Sequence, residues 1–174
     1  MGLAYQIFTS PIGEILVAGN GFAISHVRHG DDRERLAADF QREHEHASAL
    51  DRAGYVRNAC GAIADFLNGE TTRIDVAVQL DGTEFQRKVW HELRQIPYGK
   101  TVSYSEVAQA IGVPGAFRAV ANACGNNPVP LIIPCHRVIH KSGDMSGFAW
   151  GKDAKRFLLE LEWEYVTSVD DYVA

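Results

Sequence analysis

The run Ile132-Ile133-Pro134-Cys135-His136-Arg137-Val138-Ile139 is apolar and strand-like except for three consecutive side chains that can do chemistry. A thiolate is a strong nucleophile, and a neighbouring imidazole, a guanidinium or a helix N-terminus lowers a thiol's pKa toward producing one. On extended chain, adjacent residues project to opposite faces. Cys135 and His136 therefore exchange a proton only if the backbone turns at Pro134 or a water links them. The residues alone leave two readings open: an activated thiol beside its base, or a buried cysteine beside a hydrogen-bonded histidine. A second cluster, Arg42-Glu43-His44-Glu45-His46, would bring its two imidazoles together only on a strand. Its surroundings read as a polar helix, so no metal is expected there. His26 and His29 read as surface or strand histidines.

The elements that must hold these residues follow from composition and periodicity. With 174 residues, 46% hydrophobic and 22% charged, the chain can bury a core in one domain or two small ones. The longest apolar stretch, 129–133, is interrupted by Pro130 and is far too short to cross a bilayer. The first residues lack a basic flank followed by an apolar core, and the chain reads as cytoplasmic. Three cysteines, Cys60, Cys124 and Cys135, with no C-x-x-C spacing, predict free thiols rather than a disulfide framework or a four-thiolate zinc site.

Short alternating runs through the first thirty residues, broken by Pro11-Ile12-Gly13 and Gly19-Asn20-Gly21, predict a meander of antiparallel strands. Helices are expected over Asp31–His46 and Ala53–Leu67, and one further strand over Thr72–Leu80, where Ile74, Val76, Val78 and Leu80 alternate. After Asp81-Gly82 the character changes. Phe85, Val89, Trp90 and Leu93 form a helical stripe behind a Thr83 N-cap. Ser103–Ile111 and Ala116–Cys124 read as short helices around the turn Gly112-Val113-Pro114-Gly115, which is a helix-turn-helix outline or a plain αα-hairpin.

The expected architecture is therefore mixed α/β (α+β), with domains at 1–82 and 83–174, the second mainly helical. The net charge of −5 conceals a division along the chain. Residues 1–83 sum to −5, residues 84–158 to +5 and residues 159–174 to −5. A polyanion would meet the middle segment.

Pro134-Cys135-His136-Arg137-Val138 resembles the reactive motif of the O6-alkylguanine-DNA alkyltransferases, the methylated-DNA-protein cysteine methyltransferases. The resemblance continues through Phe85-Gln86, Val89-Trp90, Ile96-Pro97-Tyr98-Gly99, Ser103-Tyr104, Arg118-Ala119-Val120, Asn127-Pro128, Ser142-Gly143 and Leu158-Leu159-Glu160-Leu161-Glu162. Roughly residues 83–163 are covered, with the spacings intact. The N-terminal part is similar to the family's ribonuclease-H-like domain in its order of strands and helices.

The resemblance implies direct-reversal repair, in which one alkyl group passes from guanine O6 in double-stranded DNA to Cys135 and stays there, with no cofactor and a single turnover. It makes His136 the base, acting through a water, and Glu162 the group that orients it. Tyr104 would donate to the base and turn the 3′ phosphate. Arg118 would fill the stack left by the flipped nucleotide, since the exocyclic oxygen is out of reach inside a duplex. Asn127 would be a hinge between the second helix and the reactive segment. That helix would lie in the minor groove, its small residues Ala119, Ala121, Ala123 and Gly125 allowing close approach. The base pocket would be lined by the carbonyls of Cys135 and Val138 and by the loop carrying Phe148, Ala149 and Trp150. Phe148 stands where a tyrosine is common and Ala149 where a serine or arginine is common. The Trp150 indole is expected to narrow the cavity beside a long O6 substituent. The cysteines that hold a structural zinc in some members are absent.

Three other readings compete. A non-catalytic alkyltransferase-like damage binder would replace the reactive cysteine. A transcription regulator of the adaptive-response kind would carry a metal-binding cysteine domain, whereas only Cys60 precedes residue 84. A Cys-His hydrolase needs an oxyanion site that nothing in the sequence marks. The apolar patterning demands no dimer, and a monomer is expected.

Overall fold

Alternation in the first thirty residues produces three antiparallel strands, β1 (Ala4–Ser10), β2 (Gly13–Gly19) and β3 (Ile24–Gly30), in spatial order β1-β2-β3. Their register sets Phe8 opposite Ile15 and Val17 opposite Val27. The structure is a computed structural model that describes residues 2–49, 51 and 54–173. It divides into two units, Met1–Asp81 and Gly82–Ala174.

In the first unit β2 is the central strand and is buried from Ile15 to Gly19. Helix α1 (Arg33–Glu43) is started by Asp32, whose carboxylate accepts the Arg35 N–H at 2.8 Å. It lays Leu36 and Phe40 against Tyr5, Leu16 and Ala18, each large apolar side chain contributing about 1.5–3 kcal/mol by leaving water. The expected Asp31–His46 helix is thus shorter at both ends: Asp32 caps it, and His44 closes it with an N–H to Phe40 O. Helix α2 (Tyr55–Leu67) packs its buried face of Val56, Ala59, Ile63, Phe66 and Leu67 on β1 and β2. Ala53, the expected start of this helix, lies outside the described residues.

The strand expected over Thr72–Leu80 does not form. One parallel bridge joins Ile24 to Val78, through Ile24 N–H to Ala77 O at 2.8 Å and Gln79 N–H to Ile24 O at 2.9 Å. The Ala77 N–H donates to the Tyr55 hydroxyl at 2.8 Å instead of to a neighbouring strand. A side chain has taken the ladder position, and the alternation of the segment ends in extended coil.

In the second unit Thr83 caps α3 (Glu84–Leu93) through a capping box with Gln86. The helix buries Val89, Trp90 and Leu93, and the Trp90 indole donates to Ala123 O at 2.8 Å. Strand β4 (Val102–Ser103) runs into α4 (Tyr104–Ala110), which a second capping box of Ser103 and Glu106 starts. After the turn comes α5 (Phe117–Gly125), completing the helix pair. Strand β5 (Val138–Ile139) pairs parallel with β4, and α6 (Gly151–Val173) closes the unit. No helix among the described residues is long and apolar enough to cross a membrane.

Candidate active site

The reactive run is not a continuous strand. Pro134 turns the chain and Cys135–Arg137 form a single 3-10 turn, ended by the Val138 N–H on Cys135 O. This corrects the strand-like expectation and removes its difficulty, because consecutive residues on a turn no longer face opposite ways. Leu131, just upstream, is the one non-glycine residue with positive φ among those described, at 75°. The loop that presents Cys135 is therefore bent at a position where a side chain is disfavoured.

Asn127 builds the floor. Its Oδ1 accepts Val129 N–H at 3.0 Å, and its Nδ2 donates to Ile133 O at 2.9 Å and to Cys135 Sγ at 3.2 Å. The hinge residue thus reaches the sulfur itself. Burial pushes the Cys135 thiol up to about 11, against the opposing pull of the Asn127 hydrogen bond and the Lys155 charge. A resting thiol at neutral pH must lose its proton in the course of any reaction.

His136 and Glu162 are both 0% exposed. Glu162 Oε1 lies 2.7 Å from His136 Nε2. An ionised carboxylate only accepts, so Nε2 carries the hydrogen and Nδ1 holds the lone pair. That Nδ1 is buried and has no hydrogen-bond partner. Burial lowers the pKa of His136, Glu162 opposing. For Glu162, burial is the largest influence and opposes ionisation. The hydrogen bonds and charges of His136 and Arg137 together outweigh it and hold the carboxyl below its ordinary value.

Arg137, which the sequence offered as a group that lowers the thiol's pKa, is engaged with Glu162 instead, and Lys155 escaped the sequence reading. Arg137 sends Nε to both Glu162 oxygens at 3.0 Å and Nη1 to Ile96 O at 2.7 Å. Its place inside the reactive motif was the available signal. Lys155 is 0% exposed and donates to Val138 O at 2.6 Å. Lys155, Leu158 and Glu162 recur at helical spacing, so two charges sat on the apolar stripe of α6 and marked it. Gly99 also belongs here. Its N–H donates to Glu162 Oε2 at 2.8 Å, its φ is +75°, and a Cβ there would stand 2.4 Å from Val166 Cγ2.

Val138 is buried, but its carbonyl already accepts from Lys155, and the Cys135 carbonyl accepts the Val138 N–H. Phe148 is buried with its ring 6.4 Å from His136, and the Trp150 ring lies 5.8 Å from Phe148. Ala149 is exposed. Tyr104, at the start of α4, is buried, and its phenol is pushed up to about 12 by burial.

Arg118 is exposed on α5, its guanidinium 5.5 Å from the Phe117 ring centre. Of the small residues on this helix, Ala119 and Gly125 are exposed, but Ala123 is buried under Trp90. Ala119 and Ala123, four apart, lie on one side of α5, but the burial of Ala123 keeps it from lining a groove with Ala119. The exposed face is Arg118, Ala119, Asn122, Gly125 and Asn126. In the first unit, His26 and His29 lie on β3, and the His26 and His44 rings are 4.7 Å apart. Among the described residues no group of three His, Cys, Asp or Glu is placed to hold a metal ion.

Known proteins are similar to this chain in sequence and fold. The family described as 6-O-methylguanine DNA methyltransferase, DNA binding domain, matches residues 84–164. The chain is 40% identical over 158 residues to a methylated-DNA–protein-cysteine methyltransferase of Methanosarcina acetivorans, covering 91% of this chain and 97% of that one. It is 41% identical over 158 residues to the protein of the same name from Mycobacterium bovis, covering 91% of each. A crystal structure of Mycobacterium tuberculosis OGT in complex with DNA superposes with a TM-score of 0.80 at 40% identity, over 92% of this chain and 93% of that one.

Proposed function

The chain belongs to the O6-methylguanine-DNA methyltransferase family, and on that premise we propose that it repairs DNA by moving one alkyl group from guanine O6 to Cys135, irreversibly and once per molecule. The observation that carries the reading is the buried, unpartnered Nδ1 of His136 on a ring whose Nε2 is held by Glu162. This is an oriented base next in sequence to a thiol that burial keeps protonated.

In the proposed reaction a water relays the Cys135 proton to His136 Nδ1 as the sulfur attacks the alkyl carbon. The S–C bond forms, the C–O6 bond breaks, and guanine leaves with the electron pair, Tyr104 donating a hydrogen bond to it as its charge develops; guanine then takes a proton from solvent, to which the His136 imidazolium returns the thiol's. Glu162, already neutralised by Arg137, stabilises the imidazolium that results. The target base reaches the thiol only after flipping, for which Arg118 on the exposed face of α5 supports the vacated stack. Asn127 positions the sulfur, and Val138, Phe148, Ala149 and Trp150 line the base pocket. All these residues fall in a C-terminal domain, 83–174, that follows an N-terminal domain, 1–82. The protein acts as a monomer on double-stranded DNA containing O6-alkylguanine, in the cytoplasm or wherever DNA is held, and needs no cofactor.

The test is a duplex carrying one labelled O6-methylguanine. One label per chain on the peptide containing Cys135, intact guanine in the product and none of this with Cys135→Ser are expected. Steady turnover after the first equivalent would overturn the reading, because a thioether is a poor leaving group.

A further inference from the structure

Helix α6 carries two fully buried charges, Lys155 and Glu162, on its apolar stripe. Seven residues span about 10 Å along a helix axis, and the two charges do not pair with each other. Glu162 is taken by His136 and Arg137. Lys155 forms no ion pair among the described residues, and its nitrogen donates to a neutral group, the Val138 carbonyl, at 2.6 Å. A buried ammonium without a carboxylate is costly to keep. The charge it complements must therefore be sought among groups that are neutral at rest.

Those groups are thiols. Val138, whose carbonyl Lys155 holds, is also the residue whose N–H on Cys135 O ends the reactive turn. The ammonium is thus anchored one hydrogen bond away from the Cys135 backbone. Burial pulls Lys155 below its ordinary pKa, and the charges of Cys135, Cys124 and Asp144 oppose that pull. Asp144 is exposed and already engaged by Lys152 at 2.9 Å. Cys124, on α5, is held protonated by burial. Of the two thiols only Cys135 has a donor on its sulfur, the Asn127 amide at 3.2 Å. Negative charge near Lys155 therefore settles on Cys135.

We propose that Lys155 is a positioning residue for alkyl transfer: its ammonium fixes the turn through the Val138 carbonyl and supplies the counter-charge for the negative charge that Cys135 Sγ acquires as its proton leaves. The assignment rests on the alkyl-transfer reading above. The thiol proton still passes through water to His136, and Lys155 keeps its own protons throughout. The sulfur is neutral in the resting thiol and neutral again in the thioether, so negative charge stands beside Lys155 only between the two. A fixed positive charge at that place favours the reacting state over the resting one, which is the condition for speeding a step. Helix α6 then serves both halves of the separated charge, Glu162 the imidazolium and Lys155 the sulfur.

The experiment compares the unaltered protein with Lys155→Met, which keeps the length of the side chain, and Lys155→Gln, which keeps a donor for the Val138 carbonyl. Two quantities are read on the peptide containing Cys135: the rate of methyl transfer from a duplex holding one O6-methylguanine, and the ratio of the rates with iodoacetate and iodoacetamide. These two probes are similar in shape and differ in charge, so their ratio reports the potential at the sulfur and is not moved by a change in access alone. Methyl transfer is expected to slow about tenfold or more in both variants, the effect of withdrawing one nearby charge from a developing thiolate. The iodoacetate-to-iodoacetamide ratio is expected to fall about threefold or more. A folded variant that transfers within twofold of the unaltered rate overturns the proposal. So does slow transfer at an unchanged probe ratio, which would make Lys155 a brace for the turn, and so does failure of both variants to fold, which would make it a residue of the core. Absence of methyl transfer to Cys135 in the unaltered protein would overturn the alkyl-transfer reading, and this assignment with it, whatever the probe ratio.

Discussion

Asn127 touches the sulfur of Cys135 with the same Nδ2 that holds Ile133 O, at 3.2 and 2.9 Å. One amide thus fixes the reactive atom and the backbone leading to it. The polarity of the contact matters, because a donor favours the thiolate that must develop during attack.

Asn127→Asp keeps an acceptor for Val129 N–H while replacing the donor with a negative charge against the sulfur. Alkyl transfer is expected to fall about 10- to 100-fold, from a loss of about 1.5–3 kcal/mol in the reacting state. Single-turnover rates alongside thermal unfolding will check it. A rate within twofold of the unaltered protein would show that the contact does not reach the chemistry.

Glu162→Gln leaves Arg137 buried with an amide in place of its counter-ion. Removing one partner of a buried pair costs about 3–5 kcal/mol, so a clear drop in the unfolding temperature is expected. On the fraction that remains folded, transfer is expected to slow by about 10²-fold or more, since His136 loses the group that fixes its tautomer. A destabilised variant that transfers at the normal rate would make Glu162 structural alone.

Arg118→Ala should weaken repair of duplex DNA more than reaction with the free base. The side chain is exposed on α5 and contacts nothing in the thiol's surroundings beyond its own helix neighbour Phe117. Its loss withdraws support from an extrahelical state costing about a few kcal/mol. Competition between the two substrates for one protein sample reads the difference directly, and equal losses would contradict the stacking role.

A pH effect on folding is expected from the first unit. Burial, with His44 and Arg28 adding to it, lowers His26 from its ordinary 6.5 to about 4. The unfolded chain binds the extra proton first, so stability is complete above about pH 6.5 and is lost as the pH falls toward 4. A ring still partly open to water reduces the contribution to about 1–2 kcal/mol. Unfolding midpoints from pH 7.5 to 4.5 should fall less steeply in His26→Gln than in the unaltered protein.

The helix boundaries set by local chemistry were readable from the sequence. Thr83 and Ser103 cap as their side chains dictate, and the stripes of Val89, Trp90 and Leu93 or Ile63, Phe66 and Leu67 bury as their spacing requires. What depended on distant partners was not. The strand at Thr72–Leu80 lost its ladder to a Tyr55 hydroxyl, and the turn at Cys135 replaced an extended run because Asn127 gathers the surrounding backbone. The reactive motif singled out Cys135 and His136, while Glu162 was reached through a resemblance in spacing. Arg137 and Lys155 needed the structure, because nothing local distinguishes a buried charge from a solvated one until its partner 25 or 17 residues away is known.

The carboxylate that joins His136, Arg137 and Gly99 lies downstream of every other member of the site. During synthesis the thiol, its base and the Asn127 floor all emerge before the group that organises them. A nascent chain released as far as residue 161 has its reactive turn in sequence but no counter-ion for Arg137 and no partner for the imidazole. The assembled site is therefore completed only by the docking of α6, the last of its elements to be synthesised.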